Sequence, residues 1–298
     1  MKTITFYSYK GGVGRTLLLA NVAKYLCRFG QKVFALDFDL EAPGLHYKLI
    51  PGESPEAVSK LGAVDYIYSF AVEDRPRPES LSEYVVEVER NENVGGLIHL
   101  MRAGNVPTAE YWRRLARINW HDVFYSDGAR GVPFFLELKA KIEKEFSPDY
   151  LLIDSRTGIT EIGGVATTIL PEVIVCLLLN NRENLDGARE VLRSIRRTRR
   201  QRNQPPAIIL PVVARLPASE ESNEAEVLET VRDFLNEDAP EIEDNLSFSE
   251  LLVLHTEPRL EVKETLLIDS GTSSDSLLFR DYIHVLAKVV PAQVLMPT

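Results

Sequence analysis

The stretch Tyr7-Ser-Tyr-Lys-Gly-Gly-Val-Gly-Arg-Thr16 decides how the rest of the 298-residue chain is read. An apolar, β-rich start containing Ile4 and Phe6 precedes it, and a helical run from Leu17 follows. Strand, glycine-rich turn and helix, in that order, gather backbone N–H groups at a helix N-terminus, where the helix dipole also favours an anion. Gly11, Gly12 and Gly14 allow the backbone to approach a phosphate closely, with Val13 between them and Leu17 just beyond. Thr16 stands where the hydroxyl of such a loop binds Mg²⁺. Arg15 stands where the loop's cation meets the β- and γ-phosphates.

Composition bounds the remaining possibilities. With 45% apolar residues the chain can bury a sizeable core, and its length fits one large α/β domain over residues 1–298. A net charge of −10, from 34 basic and 44 acidic side chains, argues against a protein whose whole surface engages nucleic acid or anionic lipid. Only Cys27 and Cys176 occur, so neither a disulfide framework nor a Cys-rich metal site is readable, and a reducing, cytoplasmic setting fits. No signal-type core and no apolar run of membrane-spanning length is present.

After the loop, apolar residues from Leu17 to Cys27 predict a buried helix with Gly30 at its C-terminal cap, and Lys32-Val-Phe-Ala-Leu-Asp-Phe-Asp39 predicts a second strand. In a parallel sheet of such β-α-β units ligands gather at the carboxyl ends of the strands, which delivers Asp37 and Asp39 beside the loop; as a bland alternative, both could cap a turn. From about residue 46 to 133 the pattern weakens into an insertion. Within it residues 55–70 and 108–125 read as helical, and Gly96–Met101 as a core strand. Trp112, Trp120, Tyr111 and Tyr125 read as packing there. A charged helix over 134–146 leads into Tyr150-Leu-Leu-Ile-Asp154, an apolar strand whose terminal carboxylate suits a Mg²⁺ beside phosphates. Arg156 and Thr157 follow, where they could cap the next helix.

Further strands are expected at 173–179, 207–214 and 251–254, with helices from Asn184, over 225–235 and over 275–290. The helix from Asn184 carries Arg193, Arg196, Arg197, Arg199, Arg200 and Arg202, either dipole-favoured arginines at a helix end or a patch for nucleic-acid phosphates. The fold class is therefore α/β: a mainly parallel twisted sheet flanked by helices, carrying a P-loop and a mid-chain insertion.

The loop departs from the G-x-x-x-x-G-K-[ST] pattern at Tyr9 and Arg15, and with Lys10 directly before its glycine pair it resembles the deviant Walker A motif of the MinD/ParA family. The Asp pair, the Asp154 strand and the strand alternation extend the resemblance over roughly 1–45 and 134–290. It implies a P-loop ATPase that binds ATP and Mg²⁺ and forms a nucleotide-bridged homodimer. Lys10 would reach the partner's nucleotide, Arg15 the phosphates and Asp39 the attacking water, with Thr16, Asp37 and Asp154 around the metal and Arg156 and Thr157, in the segment where the family carries a switch, as sensors of the γ-phosphate. By order along the chain, Arg215, Pro217 and Pro258 would surround the base. Arg15 in place of lysine implies slow turnover, because a planar, forked guanidinium places its charge differently. A regulatory module that holds nucleotide with negligible hydrolysis remains open. No guanine-reading N-K-x-D-like segment occurs. A tyrosine kinase is disfavoured by a tail with the single Tyr282, and a cluster-bridged reductase by two cysteines in buried elements. A MinD-type membrane anchor is not expected, since the tail from Val290 lacks Lys and Arg.

Overall fold

The computed structural model describes residues 1–50, 52, 61–158, 160–218, 223–269 and 276–295. Strands β1 Lys2–Ser8, β2 Lys32–Phe38, β3 Val86–Asn91, β4 Gly96–Met101, β5 Tyr150–Ser155, β6 Val173–Leu178, β7 Ile208–Leu216 and β8 Leu252–His255 form one sheet. Among the described residues it has eight strands, ordered β3-β4-β2-β5-β1-β6-β7-β8. Neighbours run parallel except β3 and β4, which are antiparallel. The inner strands are apolar on both faces, as a sheet covered by helices on each side requires.

Ile4, Phe6, Val33, Ala35, Leu152 and Val175 point to one face and pack against helices α1 Arg15–Arg28, α2 Leu45–Leu49 and α11 Leu277–Val289. Two short helices, α10 Pro258–Val262 and α12 Ala292–Leu295, border this layer. The opposite face carries α3 Ala63–Ala71, α4 Ala109–Arg117, α5 Trp120–Phe124, α6 Gly131–Phe146 and α7 Glu161–Gly164 beside Phe34, Leu36 and Ile153. Beyond β1 it carries α8 Arg182–Gln201 and α9 Glu224–Leu235 beside Tyr7, Ile174 and Cys176. Both cysteines are buried and unpaired. None of the helices among the described residues is long and apolar enough to cross a membrane.

The expected order of elements holds, with three differences. Of the helix expected over 55–70, residues 55–60 lie outside the described residues, and α3 begins at Ala63, where Asp65 accepts the Gly62 N–H at 2.8 Å. The helix expected over 108–125 is two helices, because Ile118 is extended and the Asn119 side chain caps the second by accepting the His121 N–H. Residues 46–133 also contribute framework: β4 pairs with β2 from Lys32–Leu97 to Leu36–Met101, and β3 flanks it. Tyr111 is buried and Trp120 stacks on Phe124 as packing requires, whereas Trp112 and Tyr125 are 43% and 66% exposed.

Candidate functional site

Strand order builds the site. β5 sits between β1 and β2 in register, so that Asp154 lies beside Phe6 on one side and Asp37 on the other. The carboxyl ends of these strands and the loop after β1 therefore meet at the middle of the sheet. Gly12 and Gly14 have φ of 74° and 86°, left-handed conformations that favour glycine. A Cβ at Gly11, Gly12 or Gly14 would meet nothing within 4 Å, so this side of the loop is open. Val13 and Leu17 are buried and tie the loop and the first turn of α1 into the core.

Arg15 is 6% exposed and forms the centre of the site. Its Nε donates to Asp154 Oδ1 at 2.6 Å and its Nη2 to Asp39 Oδ2 at 2.6 Å. Its remaining nitrogen, Nη1, is buried with no acceptor. Thr16 Oγ1 donates to Asp154 Oδ2 at 2.7 Å. One guanidinium thus links the ends of β2 and β5, a geometry that a lysine ammonium on a single stem could not reproduce. Burial pulls Arg15 down, but Asp154 and Asp39 outweigh it and hold the group above its ordinary value. Burial pushes Asp39 up against the pull of Arg15.

Asp37 is fully buried and accepts the N–H groups of Asp39 at 3.1 Å and Leu45 at 3.2 Å. It fixes the turn that carries Asp39. Burial, then the charges of Asp154 and Asp39, push it well above the usual carboxylate range. Arg156 pairs with Glu41, joining the segments after β5 and β2. Thr160 caps α7 by accepting the Gly163 N–H, so neither Arg156 nor Thr157 is the cap.

Lys10 stands on the rim, where its Nζ donates to Glu183 Oε1 at 2.5 Å in the first turn of α8. That bond raises the Lys10 value. Tyr9, which replaces the first glycine of the loop pattern, lies against Gly187 so closely that a Cβ there would stand 2.2 Å from the ring. Glu183, Gly187 and Glu41 carry no local sequence signal for these roles, because each acts across a long chain separation.

One cavity continues from the loop, and a second shares Arg215 with it. The first, of about 250 Å³, is lined by Gly12, Val13, Gly14, Leu17, Arg215 and the segment after β8. The other, about 350 Å³, is lined by Asn180, Asn181, Arg215, Pro217 and Glu224. Arg215, at φ 62°, borders both. Pro258 opens α10 next to the first cavity, whose wall includes Glu257 and Leu260. His255 joins the ends of β8, α9 and α11: its Nδ1 lies 2.9 Å from Asp281 and its Nε2 2.9 Å from Glu224.

The arginines of α8 are held by their own chain. Arg193 donates to the Glu237 carbonyl at 2.5 Å, Arg197 pairs with Asp244, and Arg200 reaches Asp244 and the Glu243 carbonyl, each at 3.1 Å. Arg196 donates to the Asn245 carbonyl, and Arg199 is buried among carbonyls. Arg193 and Arg199 are thereby buried, whereas Arg197 and Arg200 stay 45% and 43% exposed beside Asp244.

A glycine-rich loop at a helix N-terminus, an oxygen pair at Thr16 and Asp154, and a parallel sheet around them define a P-loop nucleotide-binding domain. The family model of the CobQ/CobB/MinD/ParA nucleotide binding domain (CbiA) matches residues 4–251, and the chain belongs to that family. The fold resembles MinD of Pyrococcus horikoshii complexed with Mg-ADP, with TM-score 0.61 and 16% identity over 100% of this chain and 99% of that one. An McdA–ATP complex of Cyanothece gives 0.63 and 16% over 96% and 95%. A ParA family ATPase of Chlorobium tepidum gives 0.62 and 15% over 100% and 98%. No curated protein sequence matches the chain.

Proposed function

We propose that the chain is an ATP-dependent dimerisation switch with slow hydrolysis. The observation that carries the reading is Arg15 Nη1, a buried donor with no acceptor, at the N-terminus of α1 beside an open glycine loop. A buried donor without a partner is costly, and a phosphate oxygen over the loop would satisfy it. ATP fits these residues, the loop amides of Gly11, Gly12, Val13 and Gly14 holding phosphates, and the cavities at Arg215 and Pro217, with Pro258 beside the wall residue Glu257, offering room for the base. Mg²⁺ fits Thr16 Oγ1 and Asp154 Oδ2, a pair of oxygens suited to a hard cation that keeps most of its ligands as water and phosphate. When bound, the cation supplies charge neutralisation between the phosphates.

The chain's own residues divide the remaining work. Asp37 holds the Asp39 turn and so steadies the metal's surroundings at one remove. Asp39 orients water, and Lys10 leaves Glu183 for the nucleotide of a second subunit. An exposed pair such as Lys10–Glu183 contributes little stability, so releasing it is easy. The Arg15–Asp39 bond also favours a second reading, a module that holds nucleotide and barely hydrolyses it. Equilibrium titration of a fluorescent ATP analogue with Mg²⁺, alongside phosphate release, tests both. Binding with slow release supports the switch, binding with none supports the module, and no binding overturns both.

A further inference from the structure

The C-terminal end of α8 borders a cavity that the nucleotide site does not use. It has a volume of about 430 Å³ and is lined by Arg196, Arg199, Arg200, Gln204, Glu243 and apolar side chains. A helix of 20 residues is about 30 Å long, so this end lies far from Glu183, which starts the same helix beside the phosphate loop.

The charges here are unbalanced. Arg199 is 6% exposed and donates only to carbonyls, from Nε to Pro205 at 2.7 Å and from Nη1 to Thr168 and Pro171 at 2.9 Å each. Arg196 likewise donates to the Asn245 carbonyl, and among the described residues neither arginine forms an ion pair. Carbonyls satisfy hydrogen bonds but neutralise no charge, and Glu172, the carboxylate whose field reaches Arg199, forms its ion pair with Lys139 instead, which leaves a buried cation only weakly compensated. Arg200 is paired with Asp244, and Glu243 brings the one carboxylate among the lining residues. Gln204 Oε1 is buried without a donor. Ile195, Ala207 and Ile209 give the same cavity an apolar wall.

We propose that this cavity binds a small phosphomonoester, its phosphate on Arg196 and Arg199 and its organic body against Ile195, Ala207 and Ile209. Forked guanidinium groups suit phosphate oxygens, and the volume exceeds what one phosphate fills. A ligand hydroxyl would satisfy Gln204. The site is separate from the nucleotide site and does not depend on what that site binds.

The test titrates phenyl phosphate and inorganic phosphate into the full chain by calorimetry with ADP in excess, and locates phenyl phosphate in soaked crystals. Phenyl phosphate is expected to bind more tightly than inorganic phosphate, with density against Arg199. Arg196→Glu should weaken it by at least about tenfold, the equivalent of losing one charge-assisted contact, in a chain that still melts cooperatively. No binding by the wild type, binding that Arg196→Glu leaves unchanged, or density at the phosphate loop alone would overturn the proposal. Equal affinity for the two phosphates would overturn the apolar wall's role. Salt-sensitive binding of a short DNA duplex without binding of phenyl phosphate would also overturn it, reassigning the arginines to a nucleic-acid surface. If ADP fails to bind, the nucleotide reading fails, while the crystal still reads the cavity.

Discussion

Arg15 donates from Nη2 to Asp39 Oδ2 at 2.6 Å, so the residue that replaces the loop lysine holds the carboxylate proposed to orient water. A carboxylate paired in this way is a poorer acceptor toward water. Arg15→Lys cannot bridge both Asp39 and Asp154 as the fork does, and is expected to raise phosphate release by about tenfold while ATP affinity stays within about threefold. Single-turnover and steady-state assays with radiolabelled ATP check this.

Asp39→Ala is expected to abolish the remaining turnover and to spare ATP binding, since the loop amides, Thr16 and Asp154 are untouched. Arg15 keeps Asp154 as its partner, so the variant should fold with a modest loss of melting temperature. Loss of affinity without loss of turnover would assign Asp39 to binding instead.

The loop, the β-α-β unit and the Asp154 strand were legible because each is a local pattern: glycines at fixed spacing, an apolar run, a terminal carboxylate. That Arg15 bridges two of the carboxylates was not legible, because it meets Asp39 across 24 residues and Asp154 across 139. The partners of the α8 arginines were not legible for the same reason, since the acceptors at Glu237 and Asp244 lie more than forty residues on. β3 escaped notice because Val86-Glu-Val-Glu-Arg-Asn91 sits at the sheet's edge, largely accessible and without a continuous apolar run. The break between α4 and α5 hangs on Asn119, a single capping residue inside an otherwise helical pattern.

Gly187→Ala should disturb the loop from outside it. The added methyl would stand 2.2 Å from the Tyr9 ring, and Tyr9 adjoins Lys10, so the ring must move. Overpacking of this kind costs about 1–3 kcal/mol. A lower melting temperature with weaker ATP binding is expected, and Tyr9→Leu in the same chain should restore much of both.

His255 gives the fold a pH dependence with a definite sign. Burial pulls the imidazole down, but its bonds to Asp281 and Glu224 win and raise it above 6.5. A folded value above the unfolded one adds stability that is complete below pH 6.5 and lost as pH rises through the folded value. Melting curves from about pH 6 to about pH 9 should therefore show the gap between wild type and His255→Asn shrinking as pH rises. A gap that is constant or widens would mean that His255 is not charged in the fold.

Light scattering coupled to size exclusion shows whether nucleotide brings two copies of the chain together through Lys10. With Mg²⁺ and ATP the wild type is expected to run at twice its 33.6 kDa mass, and without nucleotide at that mass. Lys10→Ala should bind the ATP analogue with near-normal affinity yet stay at the monomer mass. A wild-type mass that ignores ATP would mean that nucleotide does not drive dimerisation, and a Lys10→Ala chain that doubles as the wild type does would mean that Lys10 does not act across the dimer.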